Sequence, residues 1–291
     1  GKASEFAPNA KIVHVDIDPA EIGKIRAADV PIVGDAKDVI VDLTAAFAEA
    51  SASQKPDPST GSGQRYTAWW SRLNELKKNY PLGYTMPDDG LLSPQKIIER
   101  IGQLSGPEAI YAAGVGQHQM WAAQFYRFEE PRRWINSGGL GTMGFGLPAA
   151  MGVKLAHPDA DVACVTGEGS IQMCIQELST CTHYSLPVKI INMNNGYLGM
   201  VKQWQDMQYA GRHSHSTYQD SLPDFVKLAE AYGHVGMRIE KPGDIEGALK
   251  EAFAQKERLV FLDFITDQTE NVFPMVPGGK GLTEMILAEE L

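Results

Sequence analysis

The stretch at 167–200, GEGSIQMCIQELSTCTHYSLPVKIINMNNGYLGM, constrains the fold of this chain more than any other. An apolar run at 161–166 (DVACVT) leads into it and ends on a glycine-flanked acid, Gly167-Glu168-Gly169. Residues 170–184 carry apolar side chains at helical spacing, with Ile171, Ile175, Leu178 and Cys181 near one face. Pro187 opens a second apolar run at 188–193, which ends on Asn194-Asn195-Gly196. The order is strand, acidic turn, helix, strand, polar turn. Strands joined by a helix lie parallel, so both turns fall on the carboxyl edge of one sheet, where such sheets bind ligands. An acid on one turn and an amide on the other can hold a hard cation that bridges a diphosphate, because Mg²⁺ prefers oxygen ligands and phosphates. A lone glycine-flanked acid is also an ordinary tight turn, and the triplet alone does not separate the two readings.

The surrounding sequence extends the same pattern. A strand at 109–113 runs into Gly114-Val115-Gly116-Gln117-His118-Gln119, ahead of a helix expected at 120–126. Small residues there let backbone approach a ligand, and a helix N-terminus favours phosphate. Trp134-Ile135 leads into a second glycine-rich loop, SGGLGTMGFG at 137–146, before a helix expected at 147–155. Helices expected at 221–232 and 243–254 and a strand at 259–265 complete an α/β, doubly wound parallel sheet. Two glycine loops and the acid–amide pair then share one sheet edge.

The start of the chain reads as a separate α/β piece. Strand patterns at 11–17 and 31–35 end on acids, Asp16 and Asp35, and a helix follows at 36–50. Asp18-Pro19 has the form of an N-cap and first helical position. Acids at such strand ends accept from ribose hydroxyls in nucleotide-binding folds, and they also simply cap helices; composition favours the second reading. The run at 51–65 has the Ser/Gly/Pro content of a linker, and 67–78 reads as an amphipathic helix. Ser93-Pro94 starts another, to about 104. The expected division is 1–50 as the end of a central nucleotide-binding domain, 51–91 as linker and connecting helix, 92–270 as the ligand-binding domain, and 271–291 as a tail.

Composition narrows the function classes. A net charge of −10 gives no basic field for nucleic acid or anionic lipid. Three cysteines without CxxC spacing read as reduced core thiols and a cytoplasmic protein. No apolar run reaches the ~18–20 residues of a membrane span.

The unit GEG, 24 residues, NN resembles the diphosphate-and-metal motif of thiamine-diphosphate enzymes, with Glu168 where that pattern has Asp. Glutamate's extra methylene moves the carboxylate by about one carbon–carbon bond, roughly 1.5 Å. VGQHQMWAAQ (115–124), SGGLGTMGFGLPAA (137–150), LGMVKQWQDM (198–207), IVHVDIDP (12–19) and IVGDA (32–36) make the resemblance more specific. Together they resemble the carboxy-terminal part of the acetohydroxyacid (acetolactate) synthase large catalytic subunit family, over nearly the whole chain.

That resemblance implies thiamine diphosphate, Mg²⁺ and FAD as cofactors. Val115, Gly116, Gln117, His118, Gly169 and Ser170 would meet the diphosphate. Glu168, Asn195 and the Tyr197 carbonyl would hold Mg²⁺. The Gly141 carbonyl would accept from the aminopyrimidine, and Met143 would bend the cofactor. Met200 would line the pocket, Trp204 would select the second 2-keto acid, and Asp16 and Asp35 would contact FAD. The implied reaction is decarboxylation of pyruvate and carboligation to a second 2-keto acid, pyruvate or 2-oxobutyrate, in branched-chain amino-acid biosynthesis. The family's site lies between two subunits of a homodimer or tetramer, its proton-relay Glu and substrate Arg fall in a part this sequence does not match, and a small regulatory subunit stays open. The resemblance therefore implies a chain that does not turn over alone, with 271–291 as a segment over the active site.

Other readings stand beside it. Met143 and Met200 fit plain core filling, His118 a loop histidine, and Trp204 the buried side of a surface helix. His213 and His215 form an H-x-H without a third ligand and receive no role. A different thiamine-diphosphate carboligase or decarboxylase, and a non-catalytic module of the same fold, are the remaining alternatives. A flavin or nicotinamide protein is disfavoured because no GxGxxG follows the first strand of either piece.

Overall fold

The computed structural model describes residues 1–53, 66–87, 90–218 and 220–288. The linker-like run at 51–65 falls outside these from residue 54 on, as do residues 289–291 of the tail. The chain divides into two compact units, one of Gly1–Gly83 with Phe273–Leu291 and one of Tyr84–Val272.

The first unit contains parallel strands β1 (Val13–Asp16) and β2 (Val30–Val33), then helices α1 (Ala36–Ser53) and α2 (Thr67–Asn79). No helix forms at Asp18-Pro19, contrary to the sequence expectation; residues 17–26 are turns and bends. The Asp16 and Asp18 carboxylates accept backbone N–H groups two residues on, from Asp18 and Ala20, both at 2.9 Å. Such local bonds compete with a helical backbone. Trp69 and Trp70 of α2 are more than half exposed, while Leu73 and Leu76 are half-buried.

The second unit begins with α3 (Pro94–Ser105). Ser93 caps it by accepting the Lys96 N–H, and Pro94 occupies the first turn, as the sequence indicates. There follow β3 (Ile110–Ala113), α4 (Gln117–Phe125), β4 (Trp134–Asn136), α5 (Gly146–Ala156) and β5 (Val162–Gly167). Next come α6 (Glu168–Gln172), α7 (Glu177–His183), β6 (Lys189–Asn194), α8 (Gly199–Gln208), α9 (Phe225–Ala231), β7 (Val235–Ile239), α10 (Ile245–Ala254) and β8 (Val260–Ile265). Six strands form one parallel sheet in the order β4-β3-β5-β6-β8-β7.

Alternation along the central strands feeds a core on each face. Ala163 and Val165 of β5, Ile191 and Met193 of β6, and Val260, Leu262 and Phe264 of β8 pack with α3, α4 and α10. Val162 and Cys164, Ile190 and Phe261 point the other way, toward α5, α7 and α9. This is the period-2 geometry of a strand covered on both sides. All three cysteines are buried in the second core.

Three elements of the second unit differ from the sequence expectation. The single helix expected at 170–184 is two helices, because the backbone tightens between them. Met173, Cys174 and Glu177 N–H groups donate to carbonyls three residues back, the 3₁₀ pattern that overwinds a helix. Helix α4 starts at Gln117 and places Gln117 and His118 in its first turn. Strand β7 has no counterpart among the expected elements; its residues are mostly half-buried, as befits an edge strand with a weak apolar signal.

One polar group is buried at the heart of the sheet. Asp263 of β8 is fully buried and accepts from Asn192 Nδ2 (2.9 Å) and Asn194 Nδ2 (3.0 Å) of β6. Arg238 of β7 adds a 3.4 Å contact from Nε, and its Nη2 reaches Asp224, the N-cap of α9, at 3.1 Å. Burial raises the Asp263 pKa, while the two asparagines and Arg238 oppose the shift. Truncating one member leaves buried donors unpaired. Asp263→Ala is expected to lower unfolding free energy by about 2–3 kcal/mol in urea titration. A loss below about 0.5 kcal/mol would contradict this account.

Candidate functional site

The strand order reverses between β3 and β5: the chain leaves β3 for β4 on one side and returns to β5 on the other. A crevice outside the carboxyl ends at such a reversal is where parallel sheets take ligands. A cavity of about 390 Å³ opens there. Its walls come from the ends of β3, β5 and β6, the loop after β4, and the first turns of α8.

Glycines permit the close approaches that build it. A Cβ on Gly146 would stand 2.5 Å from the Gly114 nitrogen, so only glycine lets α5 start against the end of β3. Gly196, at φ +74°, turns the chain between Asn195 and Tyr197 in a conformation that favours glycine. Ser170 joins both glycine loops to the acidic turn. Its Oγ accepts the Val115 N–H at 3.2 Å and the Gly144 N–H at 3.0 Å.

The acid and the amide meet on one backbone group. Tyr197 N–H donates to Glu168 Oε1 at 2.8 Å and to Asn195 Oδ1 at 3.2 Å, which sets the two side-chain oxygens side by side. Glu168 is 1% exposed, and desolvation raises its pKa to about 8 against the pull of backbone donors. His118 is buried beside it, with its pKa lowered to about 3 by desolvation, so the ring is neutral. His118 Nε2 has no hydrogen-bond partner among the described residues. Its ring lies so close to Gly167 that a Cβ there would approach Nδ1 to 2.8 Å.

Thirteen of the fifteen residues singled out in the sequence line this cavity: Val115, Gly116, Gln117, His118, Gly141, Met143, Glu168, Gly169, Ser170, Asn195, Tyr197, Met200 and Trp204. Asp16 and Asp35 belong to the other unit. Asp35 Oδ1 accepts the Lys37 N–H at 2.8 Å at the start of α1, and Asp16 holds the turn after β1. Trp204 is not the buried side of its helix; it is 41% exposed, while Lys202 and Gln203 are the buried residues of α8. His213 is an exposed loop residue bonded to Asp206 at 2.5 Å.

Sequence reasoning passed over Trp121, Met193, Leu198 and Val201, which also line the cavity. It passed over Tyr218 as well, whose hydroxyl would collide with a Cβ on Gly169. Apolar residues in core-like runs carry no separate signal. Tyr218 arrives only because residues 216–218 pair with 196–198 through Leu198 N–H to Ser216 O and Tyr218 N–H to Gly196 O.

Comparison with protein families matches residues 114–264 to the thiamine pyrophosphate enzyme C-terminal TPP binding domain. The chain belongs to the thiamine pyrophosphate enzyme family. Residues 1–43 match the central domain of the same enzymes. The acetolactate synthase large subunit of Haemophilus influenzae is 50% identical over 98% of this chain and 48% of its own length. The acetolactate synthase isozyme 3 large subunit of Escherichia coli is 51% identical over 98% of this chain and 49% of its own. An acetolactate synthase of Mycobacterium leprae is 50% identical over 98% and 45%. The chain thus spans about half the length of the curated relatives it matches. The matched family region contains every wall of the cavity.

The state of Glu168 has a measurable consequence in the metal-free chain. The unfolded carboxyl titrates near 4.5 and the folded one near 8. Between these values the folded chain holds a proton that the unfolded chain has released, so stability falls as pH rises through that window. A Glu168→Gln variant has no titrating group at this position. With a chelator present, the unfolding free energy of the unsubstituted chain should fall relative to Glu168→Gln from pH 5 to pH 8, by on the order of a few kcal/mol. Parallel curves in urea titrations across that range would contradict the raised pKa.

Proposed function

We propose that this chain is the cofactor-binding half of an acetolactate synthase, with its cavity as the thiamine diphosphate and Mg²⁺ site. The observation that carries the reading is the convergence of Glu168 and Asn195 oxygens on the Tyr197 turn, inside a glycine-walled cavity at the sheet reversal. The donor set of Glu168, Asn195 and the Tyr197 turn fits a hard cation, since it offers carboxylate, carboxamide and carbonyl oxygens. His118 Nε2, without a hydrogen-bond partner among the described residues, fits a ligand that takes up a buried polar contact.

In this reading Glu168, Asn195 and the Tyr197 carbonyl hold the cation. Gln117, His118, Gly169, Ser170 and the Val115-Gly116 backbone receive the diphosphate, with α4's N-terminus favouring its charge. The Gly141 carbonyl and Met143 hold the ring system, and Met200 and Trp204, both near 40% exposed, stand where a 2-keto acid would enter. When bound, thiamine diphosphate supplies a carbon nucleophile that adds to a 2-keto acid and takes up the electrons released with CO₂. The chain's apolar wall of Val115, Leu198, Met200 and Trp204 would exclude water from that centre.

The same reading extends to the complete enzyme. Its substrates would be pyruvate and a second 2-keto acid, giving acetolactate or acetohydroxybutyrate for branched-chain amino-acid biosynthesis. Its partners would be a second catalytic chain and, as the relatives named large subunits suggest, a small subunit. FAD would sit in the first unit, near Asp16 and Asp35. In this reading the enzyme would work in the cytoplasm; among the described residues no helix is long and apolar enough to cross a membrane.

Calorimetric titration with thiamine diphosphate tests the reading. Binding should require Mg²⁺, and Glu168→Asp should retain or tighten it, because Asp is the residue at that position in the motif this chain resembles. Silence from both proteins at any Mg²⁺ concentration would overturn the assignment of this cavity.

A further inference from the structure

Gln203 lies in the buried row of α8, 3% exposed, beside the half-exposed Trp204. Its carboxamide pairs with both backbone groups of Val272: Nε2 donates to the carbonyl at 2.9 Å, and Oε1 accepts the N–H at 2.9 Å. A backbone N–H can only donate and a carbonyl can only accept, so one orientation of the Gln203 amide satisfies both. That orientation turns Oε1 toward Gln117, which therefore presents Nε2, at 2.9 Å. The same Nε2 lies 3.4 Å from the Glu270 carbonyl and from Asn271 Oδ1, two more acceptors. Gln117 is left with its oxygen facing Asn195, whose Nδ2 donates to it at 3.2 Å. The remaining Asn195 atom, Oδ1, faces the Tyr197 turn and Glu168.

Three buried side-chain amides thus stand head to tail, and the polarity of the row is dictated at one end by the main chain of Val272. A flipped Asn195 would offer Nδ2 hydrogens to the cation site, set Oδ1 against the Gln117 oxygen, and leave the Tyr197 N–H without that acceptor. A flip of Gln117 would oppose two oxygens across Gln203 unless Gln203 also broke with Val272. The amide row is tightly held, since a Cβ on Gly199 would collide with both the Gln117 and Asn195 carboxamides.

We propose that Gln203 is a positioning residue: through Gln117 it fixes the carboxamide of Asn195 with its oxygen toward the cation, and it ties the seating of that turn to the Glu270–Val272 segment. The cation part rests on the function proposed above. The coupling between the two segments does not, because it is a property of the ligand-free chain.

Gln203→Met removes the Val272-anchored amide of the row at nearly constant volume. Gln203→Glu keeps an oxygen for Val272 N–H and for Gln117, and gives up the amide donor that reaches the Val272 carbonyl and the Met207 sulfur. Hydrogen exchange of the ligand-free full chain reads the coupling. In Gln203→Met, amides at 195–199 and at 270–272 should both exchange about tenfold faster, with β5 and β6 unchanged, and Gln203→Glu should protect 195–199 as the unsubstituted chain does. Faster exchange confined to 270–272 would overturn the proposal. Calorimetry reads the cation part. The Mg²⁺ concentration that half-saturates thiamine diphosphate binding should rise about tenfold in Gln203→Met, the scale seen for outer-shell partners of metal ligands, and stay within about threefold in Gln203→Glu. An unchanged Mg²⁺ midpoint in Gln203→Met would sink the orienting role. If the unsubstituted chain does not bind the cofactor at all, the functional reading fails, and the exchange arm still decides the coupling.

Discussion

The parallel pairing of β5 with β6 is the constraint on which the site depends. Five residue pairs, from Ala163↔Lys189 to Gly167↔Met193, fix the register. A slip by one residue would reverse every side chain on the strand, exchanging the residues of the two cores. Because both faces of these strands are fully buried, neither can slip without exposing apolar surface and burying the wrong partners. The register therefore delivers Glu168, one residue past β5, beside the turn that begins where β6 ends. The meeting on the Tyr197 N–H is the end point of that pairing.

The same alternation explains how the polar turn is held. Asn194 and Asn195 are adjacent, so their side chains leave the strand end in opposite directions. Asn194 reaches Asp263 on one side, and Asn195 reaches Gln117 on the other. A two-residue segment is pinned from both faces by buried hydrogen bonds. Each of those bonds is modest in net energy, but leaving any partner unmade in the interior costs the full desolvation of that group. Rigidity comes from this asymmetry more than from the bonds themselves.

What could be read in the sequence was what depends on local spacing. The strand–acid–helix–strand–amide order, the glycine loops and Ser93-Pro94 each carry a signal within a few residues, and the parallel sheet follows from their alternation. The break between α6 and α7 escaped because Ile171, Leu178 and Cys181 keep helical spacing across it, and the tightened backbone of 173–177 leaves that apolar pattern intact. Gln203 and Asp263 escaped for a different reason. A glutamine in a polar helix and an aspartate in a strand look like exposed residues until the partners are placed, and their amide and main-chain partners Asn192, Asn194, Gln117 and Val272 lie 69 or more positions away in the chain. Trp204 was ambiguous for the same cause: spacing shows that 202–204 share a helix and cannot show which of them faces the interior.

Glu168 is an acid held in the interior at the end of a central strand. A buried carboxylate needs compensation, and here the compensation is the backbone N–H of Tyr197 together with proton uptake. The Glu168 side chain spans from the end of β5 to the turn after β6, where it accepts the Tyr197 N–H at 2.8 Å. A cation entering between the turns would replace the proton on Glu168 as the source of compensating charge, and would be drawn to the oxygens that already share the Tyr197 N–H. The buried amide row then matters most at Asn195, the second side-chain oxygen of the proposed cation site. A carboxylate presents oxygen in either orientation, but a carboxamide does so in only one, and the side chains that choose that orientation for Asn195 end on the main chain of Val272.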